Sequence, residues 1–352
     1  MFPGIRRITL VNVTIHRDLG TPQSPSSAAA AAERIGQRAG RALLGHADFY
    51  YRAEELAAYS RGEDEAQVII LADDAAFLQV FLPRRDHTRV AHVQSAVLPE
   101  RDPVPLLDAL FPPLIALLRE EGRTALTWWE YSRQDAPTLV AATGDGAVEP
   151  SPVTGWLKSR GFVLDQVEVT NTLHLPVELE EVTVDDSYEL VTWVGATPEH
   201  LLDGMARLRA RMSTEIPHGS REVEEAVWDA ERIRREEAVA RSARRTRLWA
   251  VALNAAGEPV GYTMVESLDR ETGVAFQEDT LVRAEDRGHG LGRALKWSNL
   301  AQLQHRYPQT RRLHTWNAGE NRAMLAINDR FGFSPTATLG AWQREVTAAE
   351  RP

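Results

Sequence analysis

Apolar residues recur along the chain in two periods, and the switching between them predicts a mixed α/β fold. Residues 5–15 alternate as a strand does, with Ile8, Leu10, Asn12 and Thr14 on one side and Val11, Val13 and Ile15 on the other. A polar Ser/Pro stretch over 21–27 precedes five alanines from Ala28, and Ile35, Ala39, Ala42 and Leu43 follow at helical spacing, which predicts a helix to about residue 44. A short helix is expected over 52–59, then strands at 68–71, 77–82 and 90–98, a helix from 102 to 119, and strands at 125–131 and 167–175.

The pattern then starts again. Residues 188–193 read as a strand, Thr197-Pro198-Glu199 as a helix start with threonine at the N-cap, 213–220 as a loop, and 222–243 as a highly charged helix. Strands at 248–253, 260–267 and 273–282 follow, then a helix carrying Leu291, Ala294, Leu295 and Leu300, a strand over 312–316, and a helix from Asn321. Gly161-Phe162 and Gly332-Phe333 stand at matching places before terminal strands, so the order of elements suggests a weak internal repeat. The organisation expected is a first domain over 1–177, an acidic linker over 178–186 and a second domain over 187–352.

A chain of 352 residues exceeds the length at which one core usually stops growing, which agrees with two domains. With 43% hydrophobic and 26% charged residues it reads as an ordinary globular protein. A formal charge of −10 disfavours nucleic acid or an anionic membrane as partner and mildly favours a cationic or neutral substrate. The absence of cysteine removes disulfides, thiolate metal sites and cysteine nucleophiles. Neither a signal-peptide core near Met1 nor a membrane-length apolar run is found, so a cytoplasmic protein is expected, as monomer or homodimer. No metal-ligand spacing and no nucleophile elbow occurs, so no metal is expected.

The stretch richest in chemistry is Arg287-Gly288-His289-Gly290-Leu291-Gly292, between the strand ending at Val282 and the helix opening at Leu291. Glycines on alternate positions permit positive φ and let backbone N–H groups converge on one anion, to which the helix start adds its unpaired donors. A dinucleotide fingerprint would need a glycine where Arg293 stands, and the chain holds no Gly-Lys-Ser/Thr string for a Walker A loop. Arg-x-x-Gly-x-Gly after a strand resembles instead the pyrophosphate loop of the GNAT superfamily of acyl-CoA-dependent N-acyltransferases. Asn321-Arg-Ala-Met-Leu-Ala-Ile-Asn-Asp-Arg-Phe-Gly-Phe333 is similar to that superfamily's Asn-x-x-Ala-x-x-Leu-Tyr-x-x-x-Gly-Phe segment, in the same order. One departure stands out: Asn328 occupies the place of a tyrosine that is often the acid for the coenzyme A thiolate, and an amide cannot give a proton in that sense.

The resemblance implies two tandem GNAT-like domains, each a mixed, mostly antiparallel twisted sheet flanked by helices. The second would transfer an acyl group, most simply acetyl from acetyl-CoA, to a primary amine by direct attack. It implies that Arg287, Gly288, His289, Gly290, Leu291, Gly292 and Arg293 hold the coenzyme A diphosphate, that the backbone at Leu281 and Val282 serves the thioester, and that Asn321 lies near the coenzyme. Arg293 reads equally as a solvated first-turn residue, and Asn321 as a helix cap. The first domain carries Pro99-Glu-Arg-Asp-Pro103 where the glycine loop would stand, so it resembles a GNAT domain that has lost its cofactor loop.

Amine attack on a thioester needs a base, an oxyanion donor and an acid for the leaving group. By period-two alternation Glu278 shares a face with Thr280 and Val282 while Asp279 points away, which makes Glu278 the expected base, with Asp279 as fallback. A purely structural Glu278, paired with an arginine, is the alternative. His314 is a second possible base, although a lone strand histidine more often packs, and Tyr262 a possible acid. Glu215 and His218, in the loop between the helices, are candidates for contacting a small cationic acceptor; a solvated loop is the alternative. The competing functions are a non-catalytic acyl-CoA sensor or scaffold, favoured by Asn328, and transfer to a protein amine.

Overall fold

The computed structural model of the protein describes residues 11–179, 182–215, 219, 225–268 and 273–346. Its first half runs β1 (Val13–His16), α1 (Ser27–Leu44), α2 (Ala53–Tyr59), β2 (Glu65–Ala72), β3 (Ala76–Pro83), β4 (Val90–Val97), α3 (Pro103–Glu120), β5 (Ala125–Ser132), α4 (Pro152–Ser159) and β6 (Val163–His174). The second half runs β7 (Tyr188–Val194), α5 (Leu202–Glu215), α6 (Ala230–Ser242), β8 (Arg245–Asn254), β9 (Pro259–Leu268), β10 (Val274–Val282), α7 (Leu291–Arg306), β11 (Arg312–Ala318), α8 (Arg322–Arg330) and β12 (Ser334–Glu345). The mixed α/β architecture expected from the sequence is observed, but, beside two short two-stranded ribbons at residues 20–25 and 139–148, the strands of both halves join in one large sheet.

Twelve strands form it in the order β1-β2-β3-β4-β5-β12-β6-β11-β10-β9-β8-β7. All neighbours are antiparallel except two pairs, β4 with β5 and β10 with β11. The final strand of each half crosses to the other: β6 pairs with β11 of the second half, and β12 pairs with β5 of the first. Packing follows the exchange. Trp342 and Val346, late in the chain, are buried in the core built on α1, α3 and β2–β5, while Leu173 and Leu175 belong to a second-half core with Leu300, Leu313 and Phe333. Each half thus completes part of its core with a strand taken from the other.

Three local expectations are corrected. The charged helix does not begin at 222: α6 starts at Ala230, where the Asp229 carboxylate accepts the Arg232 N–H at 2.6 Å, and 225–229 are not helical. An aspartate three residues before a helix interior is a better stop for the free N–H groups than the glutamates upstream. Residues 222–224 lie outside the described part. Thr197 caps no helix; its N–H donates to Glu237 Oε1 at 2.7 Å, and a short 3₁₀ turn over Glu199–Leu201 leads into α5. At the N-terminus the strand covers only Val13–His16, and residues 5–10 fall outside the described part.

Candidate functional site

The parallel strands β10 and β11 pair only over residues 274–276 against 312–314 and then part. Beyond Phe276 and His314 a V-shaped gap opens toward the end of β10, closed at its root by Thr315 Oγ1, which donates to Gln277 O at 3.1 Å. Immediately past the open end comes the glycine turn. Gly288 and Gly290 take φ of 88° and 74°, and a Cβ built at either meets no atom within 4 Å. Gly290 is the N-cap of α7, with no side chain capping it. Among the described residues, the backbone N–H groups of residues 288–293 donate to no acceptor, and the first helical bond comes from Ala294 N to Gly290 O at 3.1 Å. A run of free donors at the positive end of a helix fits a polyanion.

The matching turn of the first half is built differently. α3 is capped by the Asp102 carboxylate, which accepts the Val104 N–H at 3.1 Å, and its first helical residue is Pro103. A carboxylate already on the helix start, with proline removing a donor, leaves little for an anion to bind.

The faces that alternation assigns to Glu278 and Asp279 do not hold, because β10 carries a bulge there. Thr263 lies opposite Thr280, yet Val265 lies opposite Gln277, so two residues of β10 stand against Met264 alone. An extra residue breaks period-two alternation. Asp279 therefore faces Tyr262, whose hydroxyl donates to its carboxylate at 3.2 Å, and Glu278 comes close to Glu266 on the same side. Thr280 points to the other face, where its hydroxyl meets that of Thr263 at 2.7 Å. Burial, together with the Glu266 and Asp279 carboxylates, pushes Glu278 up to about 8, although Arg245 and Arg247 pull against this. No described residue donates a hydrogen bond to the Glu278 carboxylate. Arg245 itself is spent on Glu55 at 2.7 Å and Glu266 at 3.2 Å.

On that face, between the halves, lies a cavity of about 650 Å³. Tyr59, Glu65 and Asp86 line it from the first half, and Trp228, Arg247 and Asp279 from the second. Most of its charges are already matched: Arg232 pairs with Asp86, and Arg235 with Asp64 at 3.1 Å. Asp279, bonded by Tyr262, and Glu65, bonded by Gln67 at 3.2 Å, each keep acceptor capacity to spare. Burial raises Glu65 to about 7.

The remaining candidates fall in several places. Tyr262 is fully buried, and burial beside Asp279 holds its phenol well above the usual value. His314 is also fully buried, with Thr172 Oγ1 at 2.9 Å from one ring nitrogen and Asp48 Oδ2 at 2.9 Å from the other. Glu215 and Arg287 are brought together as an ion pair, and Arg287 Nε also donates to Val282 O at 3.1 Å, so the guanidinium ties α5 to the loop. His289 is exposed beside Asp185 at 3.6 Å, and Arg293 is exposed. Leu281 is buried opposite Tyr262, and Val282 sits opposite Gly261. Asn321 caps α8 through Met324 N at 3.3 Å. His218 lies outside the described residues.

One group was not singled out from the sequence. Lys296, on α7, is 3% exposed; its ammonium donates to Asn328 Oδ1 at 2.6 Å, and Asn328 Nδ2 donates to Asn317 Oδ1 at 2.6 Å. Burial lowers this amine to about 7. The signal was present: Lys296 precedes Leu300 by four and Leu303 by seven, so it stands on the buried stripe of its helix.

No protein-family model matches the chain, and no curated protein does. Solved structures do. A tandem GNAT protein from the clavulanic acid biosynthesis pathway superposes with a TM-score of 0.71 at 22% identity, covering 96% of this chain and 99% of that one. The fold is that of the tandem GNAT proteins. A GCN5-related N-acetyltransferase from Sphaerobacter thermophilus gives a TM-score of 0.62 at 17% identity, over 97% of this chain and 96% of its own. A putative acetyltransferase from Pyrococcus horikoshii gives 0.53 at 12%, over 100% and 95%. In the GNAT fold of this chain, a parallel strand pair that parts recurs in both halves, whereas the open glycine turn is confined to the second. Among the described residues no helix is long and apolar enough to cross a membrane.

Proposed function

We propose that the protein is an acyl-CoA-dependent N-acyltransferase whose second half, within residues 187–352, holds the coenzyme and whose first half, within 1–177, supplies one wall of the acceptor site. Acetyl-CoA is the donor this reading expects. The observation that carries it is the run of free N–H groups over residues 288–293, on an unblocked helix start beside the gap between β10 and β11. The residues present fit a diphosphate: the donors are backbone, the flanking glycines leave open space, and the matching turn at Asp102 is closed. Bound there, the coenzyme supplies the activated acyl group as a thioester.

The chain's own residues divide the remaining work. The unpaired edge of β10 near Leu281 and Val282 offers backbone donors to a carbonyl oxygen lying in the gap. Asp279, at the floor of the interlobe cavity, positions a small amine, with Glu65 on the opposite wall. Glu278, kept from hydrogen bonds and raised in pKa, takes the proton of the attacking amine, directly or across one water. Without cysteine there is no thiol for an acyl-enzyme, which favours direct transfer. Thiol release from acetyl-CoA across a panel of small primary amines and a basic peptide tests the reading. Turnover with a small amine supports it; tight coenzyme binding without turnover on any acceptor would make the protein a sensor instead.

A further inference from the structure

The direct transfer proposed above leaves one need unmet, and this inference rests on that reading. When the C–S bond breaks, its electron pair goes to sulfur, and a proton must reach that thiolate from somewhere. Few groups beside the gap can supply it. Tyr262 donates to Asp279, a carboxylate already on the cavity side, and His314 is locked between Thr172 and Asp48 at the root of the gap. Glu278 is engaged with the amine.

The other face of the sheet offers a different group. Leu295 of α7 packs where a Cβ on Gly261 would lie 3.3 Å away, and a Cβ on Gly292 would meet Ile327 at 3.8 Å and Val282 at 4.0 Å, which sets α7 and α8 against the open end of β10. Between these helices sits Lys296. Its only hydrogen bond among the described residues goes to Asn328, and Asn328 is tied to Asn317, which lies on β11 within the parted stretch. Phe333 covers the ammonium at 5.9 Å. An ammonium with three donors, one partner and no counter-ion is a costly thing to bury, and nothing in the packing of α7 calls for it. No charge faces it from its surroundings: Glu278 and Asp279 of β10 lie on the opposite sheet face with Arg245, Arg247 and Glu266, and Asp329 and Arg330 of α8 and Arg293 of α7 are exposed. His314 and Arg312 of β11 are committed to Asp48.

We propose that Lys296 is the proton donor to the departing thiolate, with Asn328 and Asn317 fixing its ammonium at the gap. Base and acid then stand on opposite faces of the sheet, joined through the opening between β10 and β11. The acceptor amine loses its proton to Glu278, the Lys296 ammonium gives one to sulfur, and solvent returns the proton from Glu278 to the neutral lysine. No further reactant is required. A lysine whose amine sits at about 7 can give and regain a proton near neutrality, which an unperturbed lysine does poorly.

The test compares wild type, Lys296→Met and Lys296→Arg, full length, with acetyl-CoA and the best amine of the panel, following kcat across pH and coenzyme binding by calorimetry. Methionine keeps the apolar arm, so the fold and acetyl-CoA affinity should persist, while kcat falls by about 100-fold. The wild-type bell should lose its falling limb in this variant, leaving only the rise governed by Glu278. Arginine keeps a charge but not a transferable proton, so it should be as slow as methionine. Wild-type kcat in either variant, or a falling limb that survives in Lys296→Met, would overturn the proposal while leaving acyl transfer intact. An acyl group found on Lys296 by mass spectrometry would overturn it too, since the amine would then be an acceptor. A wild-type chain that releases no thiol with any amine would remove both readings together.

Discussion

At the scale of single residues, environment rather than residue type sets the chemistry. Glu278 and Asp279 are neighbours with different fates: one is left without a hydrogen bond and pushed up to about 8, the other is bonded by a buried tyrosine. Because Glu278 must be ionised to accept a proton and Lys296 protonated to give one, kcat should rise toward neutrality, level off between about 7 and 8, and fall above. Glu278→Gln should remove the rise and lower kcat by about 100-fold with acetyl-CoA binding unchanged, as steady-state rates and calorimetry would read. Lys296 carries the opposite sign. Its folded amine is lowered to about 7, so the unfolded chain binds the proton more tightly, and the cost to stability is full below that pH and fades as pH rises toward the ordinary lysine value. Lys296→Met should therefore raise the melting temperature at pH 6 and do so less at pH 9.

At the scale of elements, the sequence was legible where a rule needs only local information. The glycine turn, the helix after it and the strand before it could all be placed, because positive φ and unpaired donors follow from residue type. The bulge in β10 was not legible. Alternation assigns faces only if every residue of one strand meets one of the other, and the spare residue at Glu278-Asp279 depends on how β9 pairs. For the same reason His314 could not be told from a base: its partner Asp48 lies in the first half, 266 positions earlier. That contact joins the halves. Burial opposes ionisation of Asp48, but hydrogen bonds from His314 and Arg312 outweigh it and hold the carboxyl well below its usual range. Its stabilising effect is present above the unfolded carboxylate value and is lost as pH falls. Asp48→Asn should cost roughly 3 kcal/mol at pH 7 in urea unfolding, and the gap to wild type should narrow toward pH 3.

At the scale of the whole molecule, exchange of β6 and β12 makes two repeats into one folding unit. Neither half can complete its sheet or core alone, since Trp342 fills the first core and Leu173 the second. Fragments 1–177 and 187–352 should fail to give cooperative unfolding separately and should recover it when mixed, followed by circular dichroism. The same union builds the interlobe cavity, which neither half encloses, while only one half keeps an open anion turn. Calorimetric titration with acetyl-CoA addresses that asymmetry most directly. One site per chain is expected, weakened at least about 100-fold, roughly 3 kcal/mol, by Gly290→Val and untouched by Asp102→Ala. Two sites, or one that survives Gly290→Val and is lost in Asp102→Ala, would contradict the assignment of the coenzyme to the second half.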